Sequence, residues 1–171
     1  MKSNSITKDN AIRRRLILLQ RLLYEQTDEE NQLNTFEILD YLEREGVGTN
    51  RKTLKANLDM LSEMGMDIVT VASKPNRYFL GAREFELPEL KLLIDAVESS
   101  KFITVEKSKE LVDKISSLAS SHVATSLKRN VSCEGRIKSC NNRIYIIIDA
   151  INEAINTNKQ ISFQYFQYNV R

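Results

Sequence analysis

The chain has 171 residues, of which 42% are hydrophobic and 28% charged, with no Trp and a formal net charge of +2. That length permits one domain or two small ones, and the apolar fraction is enough for packed cores. So small a net charge gives no argument for nucleic acid. Any basic surface must come from segregation, and Asp28, Glu29, Glu30, Glu37, Asp40, Glu43 and Glu45 do crowd one stretch. Met1 to Asn10 is polar and does not read as a signal peptide, and no apolar run approaches the ~18–20 residues needed to span a bilayer. The expected compartment is the cytoplasm.

In chain order, the spacing predicts a helix from Ala11 to Glu25, with Ile12, Leu16, Leu19 and Leu23 on one face and Leu18 and Leu22 beside it. The run Arg13-Arg14-Arg15 falls in its first turns, where it can meet a nucleic-acid backbone or simply be solvated. Gln26 to Asn34 reads as a polar loop. A second helix runs from near Thr35 to Gly46, with Ile38, Leu39 and Leu42 inward. Its acids, Glu37, Asp40, Glu43 and Glu45, make it a poor partner for phosphate.

Gly46-Val47-Gly48 is a short turn into the stretch that organises the chain, Gly48 to Gly65. Leu54, Leu58 and Leu61 recur at helical spacing and define the buried face of a third helix. Thr49 or Asn50 can cap its first turn, and Gly65 is the expected left-handed stop. Lys52, Ala56, Asp59 and Glu63 lie opposite the leucines, with Lys55, Thr49 and Thr53 on the flanks. The outward face is therefore cationic and hydroxylic in its N-terminal half and acidic in its C-terminal half. A helix that enters a DNA major groove by its first turns needs that distribution, because the later turns leave the groove. The competing reading is a plain solvated face.

After Gly65 the period becomes that of strands. Ile68-Val69-Thr70-Val71 is β-branched throughout, and Arg77-Tyr78-Phe79-Leu80 follows the turn Ser73-Lys74-Pro75-Asn76. A hairpin directly after such a helix reads as the wing of a winged helix-turn-helix, with Lys74 and Arg77 flanking its tip. The competing reading is an ordinary hairpin with solvated cations.

Beyond a connector from Gly81 to Glu86, Leu87-Pro88 opens another helix with Leu90, Leu93, Ile94 and Val97 inward. Thr104 can cap the next, which runs to about Ala119 with Leu111, Val112, Ile115 and Leu118 inward. A shorter piece holds His122, Val123 and Leu127; His122 is the only histidine and has no ligand-forming neighbours, so it reads as surface or filler. Asn130 to Asn142 reads as a polar linker, in which Cys133 and Cys140 have six residues between them and are expected to be reduced and incidental. Asn141 or Asn142 opens a last helix with Ile144, Ile148, Ile151 and Ile155, and alternation predicts a strand from Ile161 to Tyr168. That strand has nothing downstream to pair with. Its expected state is disorder, packing on the chain's own helices, or pairing with a second copy.

These residues resemble the WYL-domain transcriptional regulators of bacteria. The likeness is carried by Arg51-Lys52-Thr53-Leu54, Leu58-Asp59-Met60-Leu61, Met64-Gly65-Met66-Asp67-Ile68 and Arg77-Tyr78-Phe79-Leu80. Leu87 to Ser120 looks like the family's helical connector, and Asp149 to Tyr168 like the helix and first strand that open its WYL domain. The resemblance implies a mostly α fold with a small β-hairpin: a winged helix-turn-helix over residues 1–83, a helical linker region over 84–140, and the incomplete start of a WYL-like domain over 141–171. There are departures from the family pattern. Lys55-Ala56-Asn57 stands where the family often has Tyr-Arg-Asp, the hairpin tip is Lys74-Pro75-Asn76 instead of Gly-rich, and there is no Trp-Tyr-Leu run. The sensing part is missing from this sequence, so no effector site is carried over, and the chain reads as the N-terminal piece of a longer regulator.

The function expected on these grounds is a sequence-specific regulator of transcription that binds double-stranded DNA as a homodimer. Lys52, Thr53 and Lys55 would read or approach base edges, and Thr49, Asn50 and Arg51 would hold phosphates near the helix N-terminus. Arg13, Arg14, Lys74 and Arg77 are further phosphate candidates. The alternative is a winged helix used as a protein-interaction module, with the acidic second helix as its surface. No enzyme, metal or cofactor is expected, because there is no phosphate-cradling Gly-rich loop, no metal-ligand spacing and no supported Ser–His pair.

Overall fold

Leucines at helical spacing bring the first half of the chain together around one apolar cluster. Leu19, Leu22 and Leu23 of helix α1 (Lys8–Gln26) meet Ile38 and Leu42 of α2 (Thr35–Arg44) and Leu54, Leu58 and Leu61 of α3 (Arg51–Glu63). The computed structural model describes residues 8–129 and 144–164. Within them the fold is mostly helical with one small antiparallel sheet. Strand β1 (Leu33–Asn34) precedes α2, and the hairpin of β2 (Ile68–Val71) and β3 (Arg77–Leu80) follows α3. The sheet order is β1-β3-β2, so the returning strand is central. Tyr78, buried on β3, contributes the sheet's share of the cluster.

Strand β1 is missing from the reading of Gln26 to Asn34 as a plain polar loop. Two residues carry no alternation, and the strand exists only through Leu33 opposite Tyr78 and Asn34 opposite Arg77. The expected hairpin matches its observed bounds, with Ile68 opposite Leu80 and Val71 opposite Arg77.

Helices α2 and α3 end the same way. Gly46 (φ 72°) and Gly65 (φ 100°) are left-handed. The amide after each reaches back into its helix, Val47 N–H to Leu42 O (2.9 Å) and Met66 N–H to Leu61 O (3.1 Å). This double closure satisfies the last carbonyls and sends the chain back toward the core. Their starts are capped by asparagines. Asn34 accepts from the amides of Phe36 and Glu37 while Glu37 accepts from Asn34 N–H, and Asn50 accepts from Thr53 N–H.

A second cluster gathers Leu90 and Ile94 of α4 (Leu87–Ser99), Val112 of α5 (Val105–Ser116), Ala119, and Leu127 of α6 (Ser121–Arg129). Thr104 caps α5 as expected, accepting from Lys107 N–H at 3.3 Å. Leu93, expected inward, is 38% exposed. The buried line of α4 is Leu90, Ile94 and Glu98, so Leu93 falls at its edge. Ser108 and Ser116 are fully buried on α5, and such small side chains let helices approach closely.

Polar contacts tie the two halves together. Arg83 donates to Tyr24 O (2.6 Å) and Thr27 O (2.8 Å) and stacks on the Tyr24 ring at 4.7 Å. Tyr24 donates its hydroxyl to Leu118 O at 3.2 Å, and Ser120 donates to the Asp28 carboxylate.

Helix α7 (Ile144–Asn156) carries Ile146, Ile147, Ile148 and Ile155 exposed, and neither apolar cluster includes any of residues 146–156. Ile161 to Gln164 have no regular structure, where alternation predicts a strand. A strand needs a neighbour to receive its hydrogen bonds, and among the described residues none lies beside it. The expected linker from Asn130 to Asn142, the cysteines Cys133 and Cys140, the capping Asn141 or Asn142, and the strand's end at Tyr165, Phe166 and Tyr168 lie outside the described residues. No helix among the described residues is long and apolar enough to cross a membrane.

Candidate nucleic-acid interface

The cations of α3 stand where the helix leaves the core. Leu54, Leu58 and Leu61 turn one face inward, so Arg51, Lys52 and Lys55 are driven to the exposed face, with Ala56 beside them. Thr49 and Thr53 are half-buried. Asn50 spends its side-chain oxygen on the Thr53 amide at 2.9 Å, which leaves only its amide nitrogen for any ligand. The first intrahelical bond of α3 runs from Leu54 N–H to Asn50 O. The amides of Arg51 and Lys52 therefore precede the helical ladder, at the positive end of the helix dipole.

Between this first turn, the start of α2 and the hairpin tip lies an open cleft of about 530 Å³. Arg51, Lys55 and Lys74 line it, with Phe36, Pro75 and Tyr78 as its apolar part, and no carboxylate is among the lining residues. The tip is held to α2 by Asn76 O, which accepts from the Thr35 amide at 3.0 Å and the Thr35 hydroxyl at 3.2 Å. Arg51 lies with its guanidinium carbon 4.5 Å from the centre of the Phe36 ring. The fold thus brings together cations well separated in sequence, Arg51 and Lys55 on the helix and Lys74 on the tip.

The remaining candidates are dispersed. Arg77 is exposed at the start of β3, Lys52 is exposed on α3, and Arg13 and Arg14 are exposed on α1; none of the four lines the cleft. Arg15, the third member of that triplet, does something different. It donates from Nε to Val47 O at 2.8 Å and from Nη2 to Gly48 O at 3.1 Å, clamping the turn between α2 and α3.

The acids of α2 are partly occupied by its own structure. Glu37 serves the N-terminal cap, and Asp40 pairs with Arg44 at 3.0 Å on the exposed face. Phe36 carries no signal in the sequence, since one phenylalanine near a helix start reads as ordinary core. Its 52% exposure and its place under Arg51 become visible only in three dimensions.

No protein-family model, curated protein or solved structure matches this chain. The geometry of the cleft and of α3 therefore carries the functional reading alone. Among the described residues no group of three or more His, Cys, Asp or Glu side chains could hold a metal ion.

Proposed function

We propose that this protein is a sequence-specific, double-stranded-DNA-binding regulator of transcription. In this reading α1, β1, α2, α3, β2 and β3 form a winged helix-turn-helix, with α3 in the major groove and the β2–β3 hairpin as the wing on the flanking backbone. The WYL-like regulator suggested by the sequence is the family reading that goes with it.

The observation that carries the proposal is the cleft where Arg51, Lys55 and Lys74 meet without a carboxylate, at the end of α3 whose opposite face is spent on the core. The chain's net charge is only +2, so a local surplus of three cations is a segregated surface and not a reflection of composition. Base reading falls to Lys52, Lys55 and Thr53, whose positions on the first turns of α3 suit groove entry. Thr49, Asn50, Arg51, Lys74 and Arg77 supply backbone contacts, and Arg13 and Arg14 supply weaker ones from α1.

Selection of bound duplexes from a random pool tests this directly. The expected outcome is an enriched consensus, bound with an affinity that falls steeply with salt, by about 0.9 in the log–log slope for each phosphate contacted. The alternative is a protein-interaction module presenting Glu43 and Glu45, which are exposed on and just after α2. Absence of any enriched duplex, with salt-insensitive capture of a protein, would favour it.

A further inference from the structure

Phe36 is the second residue of α2 and leaves 52% of its surface exposed. An aromatic ring on a helix start costs apolar exposure unless it serves a neighbour. Here the neighbour is Arg51, stacked at 4.5 Å from the ring centre. The electron-rich face attracts the cation, and the contact restricts a side chain that otherwise samples many rotamers. Among the described residues, none of Arg51, Lys55 and Lys74 takes part in an ion pair, so the three charges in the cleft are uncompensated.

The aliphatic hydroxyls beside them are committed, which leaves Tyr78 as the one hydroxyl among the lining residues without an acceptor among the described residues. Thr35 donates to Asn76 O, and Ser73 donates to Pro75 O at 2.5 Å. The cleft therefore offers charge and a planar guanidinium fork, without a ring of neutral donors shaped to enclose a small free anion. That suits a phosphodiester delivered by a polyanion, which needs a fixed cation at its edge and not an enclosing pocket.

We infer that this cleft binds one backbone phosphate of duplex DNA, and that Phe36 is a positioning residue which holds the Arg51 guanidinium ready for it. The inference rests on the DNA-binding reading above. Holding the side chain before binding removes part of the ordering cost that complex formation would otherwise carry. Because a phosphate contact is independent of sequence, the effect must appear on any duplex alike.

The test is a double-mutant cycle on the full chain, read by fluorescence anisotropy on a duplex of arbitrary sequence at low salt. Phe36→Leu is expected to weaken binding about three- to tenfold, and Phe36→Tyr, which keeps the ring face, to stay within about twofold of the parent. Arg51→Ala should weaken binding about tenfold and lower the salt slope by about one. The double variant Phe36→Leu/Arg51→Ala should bind no worse than Arg51→Ala alone, since the ring acts through the guanidinium. Losses that add in full, or equal losses for Leu and Tyr, would overturn the positioning role while leaving DNA binding in place. Inorganic phosphate should displace the duplex no more than chloride at equal ionic strength; specific displacement would reassign the cleft to a free anion and overturn the inference. A parent chain that binds no duplex at any salt would instead sink the DNA reading, and this inference with it.

Discussion

The triplet Arg13-Arg14-Arg15 shows how little a charge run says about the work of its members. Arg13 and Arg14 are exposed, whereas Arg15 reaches two backbone carbonyls of the turn that feeds α3. Hydrogen bonds from a charged donor contribute about 1.5–3 kcal/mol when partly buried. Arg15→Ala is thus expected to destabilise the fold by about 1–3 kcal/mol in urea unfolding, while Arg13→Ala and Arg14→Ala stay within about 0.5 kcal/mol. Equal effects from all three would contradict the clamp. On the functional side, Lys52→Ala should weaken a selected operator by about 1–3 kcal/mol and relax the preference at one base position. Arg77→Ala should weaken all duplexes alike and lower the salt slope by about one. An unchanged preference and affinity in Lys52→Ala would mean that α3 is not the reader.

At the scale of the element, the ends of helices matter as much as their faces. Gly46 and Gly65 adopt a left-handed backbone that costs about 1–2 kcal/mol with a Cβ present. Gly65→Ala is expected to lower stability by about that amount and to disturb the entry into β2, because Met66 N–H closes on Leu61 O from the very next residue. Asn34→Ala removes the cap of α2 and should cost about 0.5–2 kcal/mol. Asn158 (φ 52°) closes α7 in a related way, with Lys159 N–H on Ala154 O at 2.8 Å. A helix can finish itself by such local bonds, and α7 does. A strand cannot, and Ile161 to Gln164 stay irregular although their alternation reads as β.

For the whole molecule, the joint between the two apolar clusters is polar and holds Asp28 at its centre. Burial pushes the Asp28 carboxyl up, but hydrogen bonds from Ser120, from the Asn31 side chain and from the Asn31 and Glu30 amides outweigh it and leave it below its ordinary value of 3.8. A lowered carboxylate stabilises the fold above its ordinary value, and that contribution is lost as pH falls through the lower folded value. The stability difference between the parent and Asp28→Asn should therefore be full at neutral pH, begin to shrink as pH falls past the ordinary value of 3.8, and close as it falls through the lower folded value. A difference that persists unchanged at pH 2.5 would show that the charge of Asp28 is not what secures the joint. Oligomeric state belongs to this scale as well. If the chain binds DNA as proposed, one α3 would reach too few base pairs for genomic specificity, so two copies on paired half-sites are expected. The segment from Leu87 to Leu127 is the one that would space the copies in this reading, and Leu92, Leu93 and Phe102, on and just after α4, are exposed in it. The selected operator should then have two-fold symmetry, and a short asymmetric consensus would count against it.

Periodicity and capping made most of the helices, the β2–β3 hairpin and the face of α3 legible from the residues alone. Those features are set within a few turns of chain: leucines at helical spacing must share a face, Thr104 must cap the helix after it, and Gly65 must end the helix before it. The cations of α3 were legible for the same reason, since the inward leucines leave them only one side. What the tertiary structure decided lies between segments distant in sequence. Strand β1 exists because Leu33 and Asn34 meet β3, Arg15 is a clamp because α1 crosses the α2–α3 turn, and Leu93 is half-open because the second cluster takes Leu90, Ile94 and Val97 of α4 and leaves Leu93 at its edge. The cleft is the same kind of feature, for Phe36, Arg51 and Lys74 come from a helix start, a second helix and a hairpin tip. Local patterns determine which face of an element is apolar, but only packing determines which polar groups of different elements are left facing one another.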